Sequence, residues 1–252
     1  KGGVLFLAPT GKARVRMQEL SKGAGIKVST VAQFLNGYGR FNGNLQQYVF
    51  SDKYCEGIFQ TVVLDESSMM TEEMLATLLD CFKGTKRFIL VGDHRQLPPI
   101  GAGRPFRDII KYLEPENLES KFPKIGIGYA ELTVRRRQGG TNREDLQLAE
   151  WFSGNPLGAG DDQIINDILS GKESKYLELK SWKTEEEFSD CFEEVLENEF
   201  GITDAKSFNE SLGSHDGRYF NSTKDAEYRG ETPSIKKIDD WQVLSPIREK
   251  PH

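Results

Sequence analysis

The sequence predicts an α/β fold in which a parallel sheet is covered by helices. Two observations predict it. Residues 4–8, 61–64 and 88–91 are almost continuously apolar and rich in β-branched side chains, the pattern of strands buried on both faces. Between the second and third of these, apolar residues recur at Met74, Leu75, Leu78, Leu79 and Phe82, which is one face of a helix. Thr71 is placed to cap that helix, and Glu72 and Glu73 fall in its first turn, where the helix dipole favours acids. Strand, helix and strand in this order imply right-handed crossovers.

The remaining elements follow along the chain. Residues 130–134 read as a fourth strand, and residues 146–152 as a helix ending near Gly154, before the loop at Asn155-Pro156. A domain boundary belongs there, dividing the chain into 1–154 and 155–252. Beyond it, 176–180 reads as a strand and 185–200 as a helix with Phe188, Phe192, Val195, Leu196 and Phe200 inward, closed by Gly201. Residues 205–238 are polar and without sustained period, the composition of a long irregular insertion. Trp241, Gln242, Val243 and Leu244 form a final strand running into Ser245-Pro246.

Bulk composition narrows the class. At 252 residues, 37% hydrophobic and 29% charged, the chain is an ordinary globular protein able to bury a core. No apolar run reaches the eighteen or so residues of a membrane span, and Lys1-Gly2-Gly3 with its short apolar sequel is not a signal peptide. Cys55, Cys81 and Cys191, with His94, His215 and His252, stand at no zinc-ligand spacing, and dispersed free thiols fit a reducing, cytoplasmic location. The net charge of −6 conceals an asymmetry. Residues 1–140 carry 20 Lys and Arg against 14 Asp and Glu, whereas residues 141–252 carry 13 against 25. A basic first half can hold a phosphate backbone; a solvated acidic helix in the second half accounts for the rest equally well.

Two segments carry chemistry. In Val62-Val63-Leu64-Asp65-Glu66-Ser67-Ser68-Met69-Met70 an apolar strand ends in adjacent acids, at the edge where open α/β sheets bind ligands. The first acid can hold magnesium through water, and the second can orient or deprotonate a water attacking a γ-phosphate. In Phe88-Ile89-Leu90-Val91-Gly92-Asp93-His94-Arg95-Gln96-Leu97-Pro98-Pro99 another strand leads to a stiff loop presenting Gln96. A neutral amide there can bond both phosphate and water without adding repulsion. Taken singly, the first is also compatible with two surface acids and the second with a simple Gly-Asp turn.

Together these segments resemble motifs II and III of superfamily-one DNA helicases, with the RecD-like branch (the exodeoxyribonuclease V alpha subunit and its relatives) the nearest match. Leu7-Ala8-Pro9-Thr10-Gly11-Lys12-Ala13 resembles motif Ia, and Ser29-Thr30-Val31-Ala32-Gln33-Phe34-Leu35 the DNA-contacting segment after it, with Ala32 where many relatives have His. Leu132-Thr133-Val134-Arg135-Arg136-Arg137-Gln138 resembles motif IV, with Arg136 in place of the usual aromatic. Val243-Leu244-Ser245-Pro246-Ile247-Arg248 looks like the strand opening the second motor domain. The match is good over about residues 1–150 and weak at 241–250, and residues 155–240 carry no motif.

The resemblance implies a RecA-like sheet, an incomplete P-loop core, followed by the start of a second α/β lobe. It implies ATP and magnesium as cofactors, single-stranded DNA as partner, and nuclease or helicase subunits of a larger complex in DNA repair and recombination. It assigns Asp65, Glu66, Gln96 and Arg137 to the nucleotide, and Pro9, Thr10, Lys12, Ser29 and Thr30 to DNA. Thr10-Gly11-Lys12-Ala13 is not itself a phosphate-binding loop, because Phe6 replaces its first glycine and Ala13 its Ser or Thr. The resemblance also implies a fragment, inactive alone, that lacks the Walker A loop and motifs V and VI. Since the strand feeding that loop lies inside the family's sheet, its two neighbours are expected to carry unpaired backbone edges. The readings set against the motor are a non-catalytic nucleic-acid-binding or scaffold module and a P-loop ATPase of other purpose.

Overall fold

The computed structural model describes residues 3–116, 123–132, 143–152, 162–172, 174–217, 219–220, 222–237 and 240–244. They fall into two compact units, Lys1–Ile164 and Ile165–His252.

In the first unit, strand β1 (Gly3–Ala8) leads through helix α1 (Gly11–Leu20) to β2 (Lys27–Thr30), and α2 (Val31–Gly37) follows at once. Short strands β3 (Phe41–Asn42) and β4 (Gln47–Tyr48) form a hairpin. Strand β5 (Cys55–Glu56) precedes β6 (Phe59–Leu64), a 3-10 turn at Ser67–Met69 and helix α3 (Glu72–Cys81). Then come β7 (Phe82–Lys83), which pairs with β5, β8 (Arg87–Leu90) and helix α4 (Pro105–Leu113). Strands β9 (Ile125–Gly126) and β10 (Tyr129–Ala130) form a second hairpin before α5 (Glu144–Trp151).

The main sheet is parallel, in the order β2-β1-β6-β8. Its register aligns Leu5 with Val62 and Leu7 with Leu64, then Val62 with Phe88 and Leu64 with Leu90. Side chains of in-register residues share a face, so these six form one apolar surface. Against it pack Val31, Phe34 and Leu35 of α2 and Leu75 and Leu78 of α3. Leu5, Leu7, Val62 and Leu64 are fully shielded from solvent. Leu64→Ala is therefore expected to lower the unfolding free energy by about 2–5 kcal/mol, measurable by denaturant titration. Thr71 caps α3 by accepting from the Met74 amide at 3.2 Å, with Glu72 and Glu73 in the first turn as the sequence predicts. The helix ends at Cys81; Phe82 belongs to β7 and stacks on Phe34 at 5.1 Å, and Leu79 is 42% exposed.

Three expectations for this unit are corrected. The strands are not uniformly buried on both faces, since Val4, Ile89 and Val91 are 36%, 40% and 43% exposed. An apolar run alone does not say how many layers cover it. Nor does a gap interrupt the sheet: β6 and β8 pair directly, Val63 opposite Ile89, and Val91 N donates to Leu64 O at 2.8 Å. The facing edges of both strands are thereby satisfied. Third, residues 130–132 form no long strand; Ala130 ends the β9–β10 hairpin, Leu132 is 94% exposed, and Thr133 and Val134 lie outside the described residues.

A buried cation pins the segment that follows the β3–β4 hairpin. The Arg40 side chain is fully enclosed; its Nε donates to Lys53 O at 3.0 Å, its Nη2 to Ser51 O, and its Nη1 to the carboxylate of Asp80 on α3. The guanidinium also lies over the Tyr54 ring, 4.9 Å from its centroid.

The second unit divides off within α6 (Gln163–Leu169). It contains α7 (Glu185–Phe200), α8 (Ala205–Ser211), strands β11 (Ser214–His215) and β12 (Tyr219–Phe220), α9 (Thr223–Arg229) and α10 (Ser234–Lys237). Helix α7 has the bounds its period predicts, and Gly201 ends it in the left-handed region at φ 65°. Three readings fail here. Residues 176–180 are not a strand, because Ser174 Oγ accepts from the Tyr176 and Leu177 amides, both at 3.1 Å, and bends the chain. The polar stretch 205–238 is not irregular; it holds three short helices and a hairpin. Asp204 and Ser207 build a capping box at the first helix, a local signal that composition conceals. Residues 241–244 are not a strand either: Trp241 is held by its side chain, stacked on Phe200 at 5.1 Å and donating Nε1 to Ser211 Oγ at 3.2 Å.

Among the described residues no helix is long and apolar enough to cross a membrane.

Candidate functional site along the carboxyl edge of the sheet

Parallel strands present all their carboxyl ends on one rim, and the sequence-predicted residues that the structure describes follow those ends. β2 ends in Ser29 and Thr30, paired with Leu7 and Ala8 of β1, so Pro9 and Thr10 emerge beside them. Next along the rim β6 delivers Asp65 and Glu66, and beyond it β8 delivers the loop of Gly92 to Pro99. Arg137 lies outside the described residues.

Hydrogen bonds fix the acidic corner tightly. Asp65 N donates to Leu7 O at 2.9 Å, which extends the β1–β6 ladder by one residue. Ser67 N donates to Val91 O at 2.8 Å and Ser67 Oγ to Leu64 O at 2.8 Å, clamping the turn against β8. Between these anchors Glu66 is held in the left-handed region at φ 52° and ψ 39°. A non-glycine residue there costs about 1 kcal/mol, and such strain collects at functional sites. Both acids are half-buried. Asp65 Oδ1 accepts from the Glu66 amide at 3.0 Å, and among the described residues Oδ2 has no partner.

That arrangement fits magnesium. Among the described residues no group of three or more His, Cys, Asp or Glu could cage a metal. Magnesium needs no cage, since it keeps several waters and takes one or two carboxylates together with phosphate oxygens.

The Gln96 loop begins with a turn in which Gln96 N donates to Asp93 O at 3.1 Å and Arg95 N to Asp93 Oδ1 at 3.0 Å. The Arg95 guanidinium reaches Glu131 at 3.4 Å, tying the loop to the segment after β10. Glu131 also faces Lys124 at 3.6 Å and Tyr129, whose phenol burial and that carboxylate push up to about 12. Gly92 starts the loop where backbones converge: a Cβ there would stand 3.0 Å from Ser68 N and 3.1 Å from the Phe106 ring. Gln96 borders a cavity of about 40 Å³ shared with Ser68, His94, Arg104, Phe106 and Arg107. Reading the sequence missed Ser68, Arg104 and Arg107; the only trace was Pro105, which marks a helix start.

The predicted DNA residues divide by role. Thr10 and Thr30 each cap a helix, accepting from Ala13 N at 3.2 Å and from Gln33 N at 3.1 Å. Thr30 is only 9% exposed, and its amide is returned a bond by Gln33 Oε1, so its side chain serves the helix start. Thr30→Ala is expected to lower stability by about 1 kcal/mol in a thermal melt. Pro9, Thr10 and Ser29 are half-buried and Lys12 is exposed.

A family model described as the AAA domain matches residues 1–150. The chain belongs to that family. Its parallel sheet flanked by helices is the RecA-like P-loop arrangement. Individual proteins are similar to the chain as well. An uncharacterised protein of Methanocaldococcus jannaschii is 36% identical over 126 residues, 46% of this chain and 10% of that protein. The ATP-dependent RecD2 DNA helicase of Deinococcus radiodurans is 37% identical over 99 residues, 39% of this chain and 12% of the helicase. The RecBCD enzyme subunit RecD of Mycolicibacterium smegmatis is 28% identical over 153 residues, 54% of this chain and 24% of the subunit. The AAA-domain chain thus matches at most about a quarter of the length of these relatives.

Proposed function

We propose that this AAA domain is part of a RecD-like, ATP-dependent DNA helicase that couples ATP hydrolysis to movement along single-stranded DNA. One observation carries the reading: a single rim bears, side by side, the residues assigned to DNA at β1 and β2, the acid pair at β6 and the Gln96 loop at β8. Hydrolysis at one end of that row can therefore be felt at the other through neighbouring strands.

The residues take the following parts. Asp65, with one carboxylate oxygen left open, would hold a magnesium ion through water, and that ion would neutralise charge on the nucleotide's phosphates. Glu66, fixed in a left-handed turn, orients the attacking water and accepts its proton. Gln96 donates its amide to the terminal phosphate. Arg137 supplies positive charge to the same group. Pro9, Thr10, Lys12 and Ser29 hold the DNA backbone; because these contacts are to phosphates, binding is salt-sensitive and largely independent of sequence. Nuclease or helicase subunits and a cytoplasmic setting belong to the same proposal.

The DNA face is tested by replacing Thr10 and Lys12 with alanine in the full-length protein and measuring single-strand affinity across salt concentrations. Affinity is expected to fall, with a shallower salt dependence for loss of the Lys12 charge. Unchanged affinity removes these residues from the DNA face.

A further inference from the structure

We propose that the cavity beneath the Gln96 loop is a binding site for a tetrahedral phosphate, the size of the inorganic phosphate that nucleotide hydrolysis releases. The proposal rests on the hydrolytic reading only for where that phosphate comes from.

Three independent features meet in this cavity. The first is a buried hydroxyl. Ser68 is 7% exposed and lines the cavity, and its Oγ has no hydrogen-bond partner. Buried polar groups are nearly always paired, so an orphan beside a cavity points to a missing ligand. Its neighbour Ser67 shows the contrast, since that hydroxyl bonds Leu64 O at 2.8 Å.

The second is an uncapped helix start. Helix α4 has nine residues, with Arg104 at the N-cap and Pro105 next. An arginine side chain cannot accept a hydrogen bond, and no side chain caps this helix. The first intrahelical bond is Asp108 N to Arg104 O at 3.1 Å. The amides of Phe106 and Arg107 therefore have no partner among the described residues, and Arg104, Phe106 and Arg107 all line the cavity. Free amides at the positive end of a helix dipole attract anions.

The third is charge and size. Two arginines, His94 and the Gln96 amide border the cavity, and no carboxylate does. Its volume of about 40 Å³ corresponds to roughly three water positions, enough for one tetrahedral oxyanion and too little for a base or sugar. The site therefore fits a bare phosphate. Because Gln96 is shared between this cavity and the loop that follows β8, a phosphate held here lies next to the hydrolytic corner rather than along the DNA row.

Titration of inorganic phosphate into the chain, followed by calorimetry at constant ionic strength, tests the site. Saturable binding is expected, weakened about tenfold or more by Ser68→Ala and by Arg104→Gln. Without phosphate the Ser68→Ala chain should melt at the native temperature, because the deleted hydroxyl had no partner; Arg104→Gln keeps the test intact if it does not. Absence of saturable binding, or native binding by both variants, overturns the proposal. So does displacement of phosphate by an oligothymidylate, which would make the cavity a DNA backbone contact. A chain that binds phosphate through Ser68, from a protein without ATPase activity, keeps this site and removes the hydrolytic reading. An active ATPase whose inhibition by phosphate is unchanged in Ser68→Ala does the reverse.

Discussion

Glu66→Gln in the full-length protein is expected to lower single-strand-stimulated ATP hydrolysis by about 10²-fold or more while leaving ATP binding in place. The amide matches the carboxylate in size, so the left-handed turn held between Asp65 and Ser67 keeps its anchors to Leu7 O and Val91 O. What disappears is the ability to accept a proton from water. Steady-state phosphate release, measured with and without oligothymidylate, gives the rate, and binding of a fluorescent nucleotide gives the affinity. A variant that turns over at the native rate removes Glu66 from the chemistry.

Arg40→Ala is expected to be among the most destabilising single changes in the first unit, at about 3 kcal/mol, a fall of roughly 6–12 °C in melting temperature. Little of this comes from the ion pair. Asp80 is 43% exposed on its side chain and is solvated readily once alone. The loss comes from the carbonyls of Ser51 and Lys53, which forfeit their donors, and from the space left where the guanidinium lies over Tyr54. Arg40→Lys should recover only part of it, because an ammonium cannot serve both carbonyls and the carboxylate from one planar fork. A melting temperature unchanged in Arg40→Ala would show that the 49–55 segment holds without the clamp.

Elements with strong, long-range patterning were legible in the sequence. β1, β6 and β8 announce themselves as apolar runs, and α3 and α7 as helical periods with Thr71 and Gly201 at their ends. The reading fails where a side chain replaces a periodic signal. Trp241 looks like the start of a strand because it is apolar in apolar company, yet aromatic stacking holds it. Helix α8 is hidden because a capping box of Asp204 and Ser207 outweighs a polar composition. The same limit applies along the rim. The motif spacing put Asp65, Glu66 and Gln96 on loops after strands, but it could not show that Thr30 spends its hydroxyl on a helix cap, or that Ser68 is enclosed beside two arginines. Those facts depend on which neighbours the fold brings close. Arg40 is the clearest case: nothing around it in sequence distinguishes a core cation from a surface one.

A crystal structure of the full-length protein with magnesium, ADP and aluminium fluoride decides whether these side chains converge on the nucleotide, since the fluoride takes the place of the transferring phosphoryl group. The fluoride is expected within hydrogen-bond reach of Gln96 and Arg137, with Glu66 on the attacking water and Asp65 toward the metal. A nucleotide bound away from the ends of β6 and β8, with those four side chains around no common group, would contradict it.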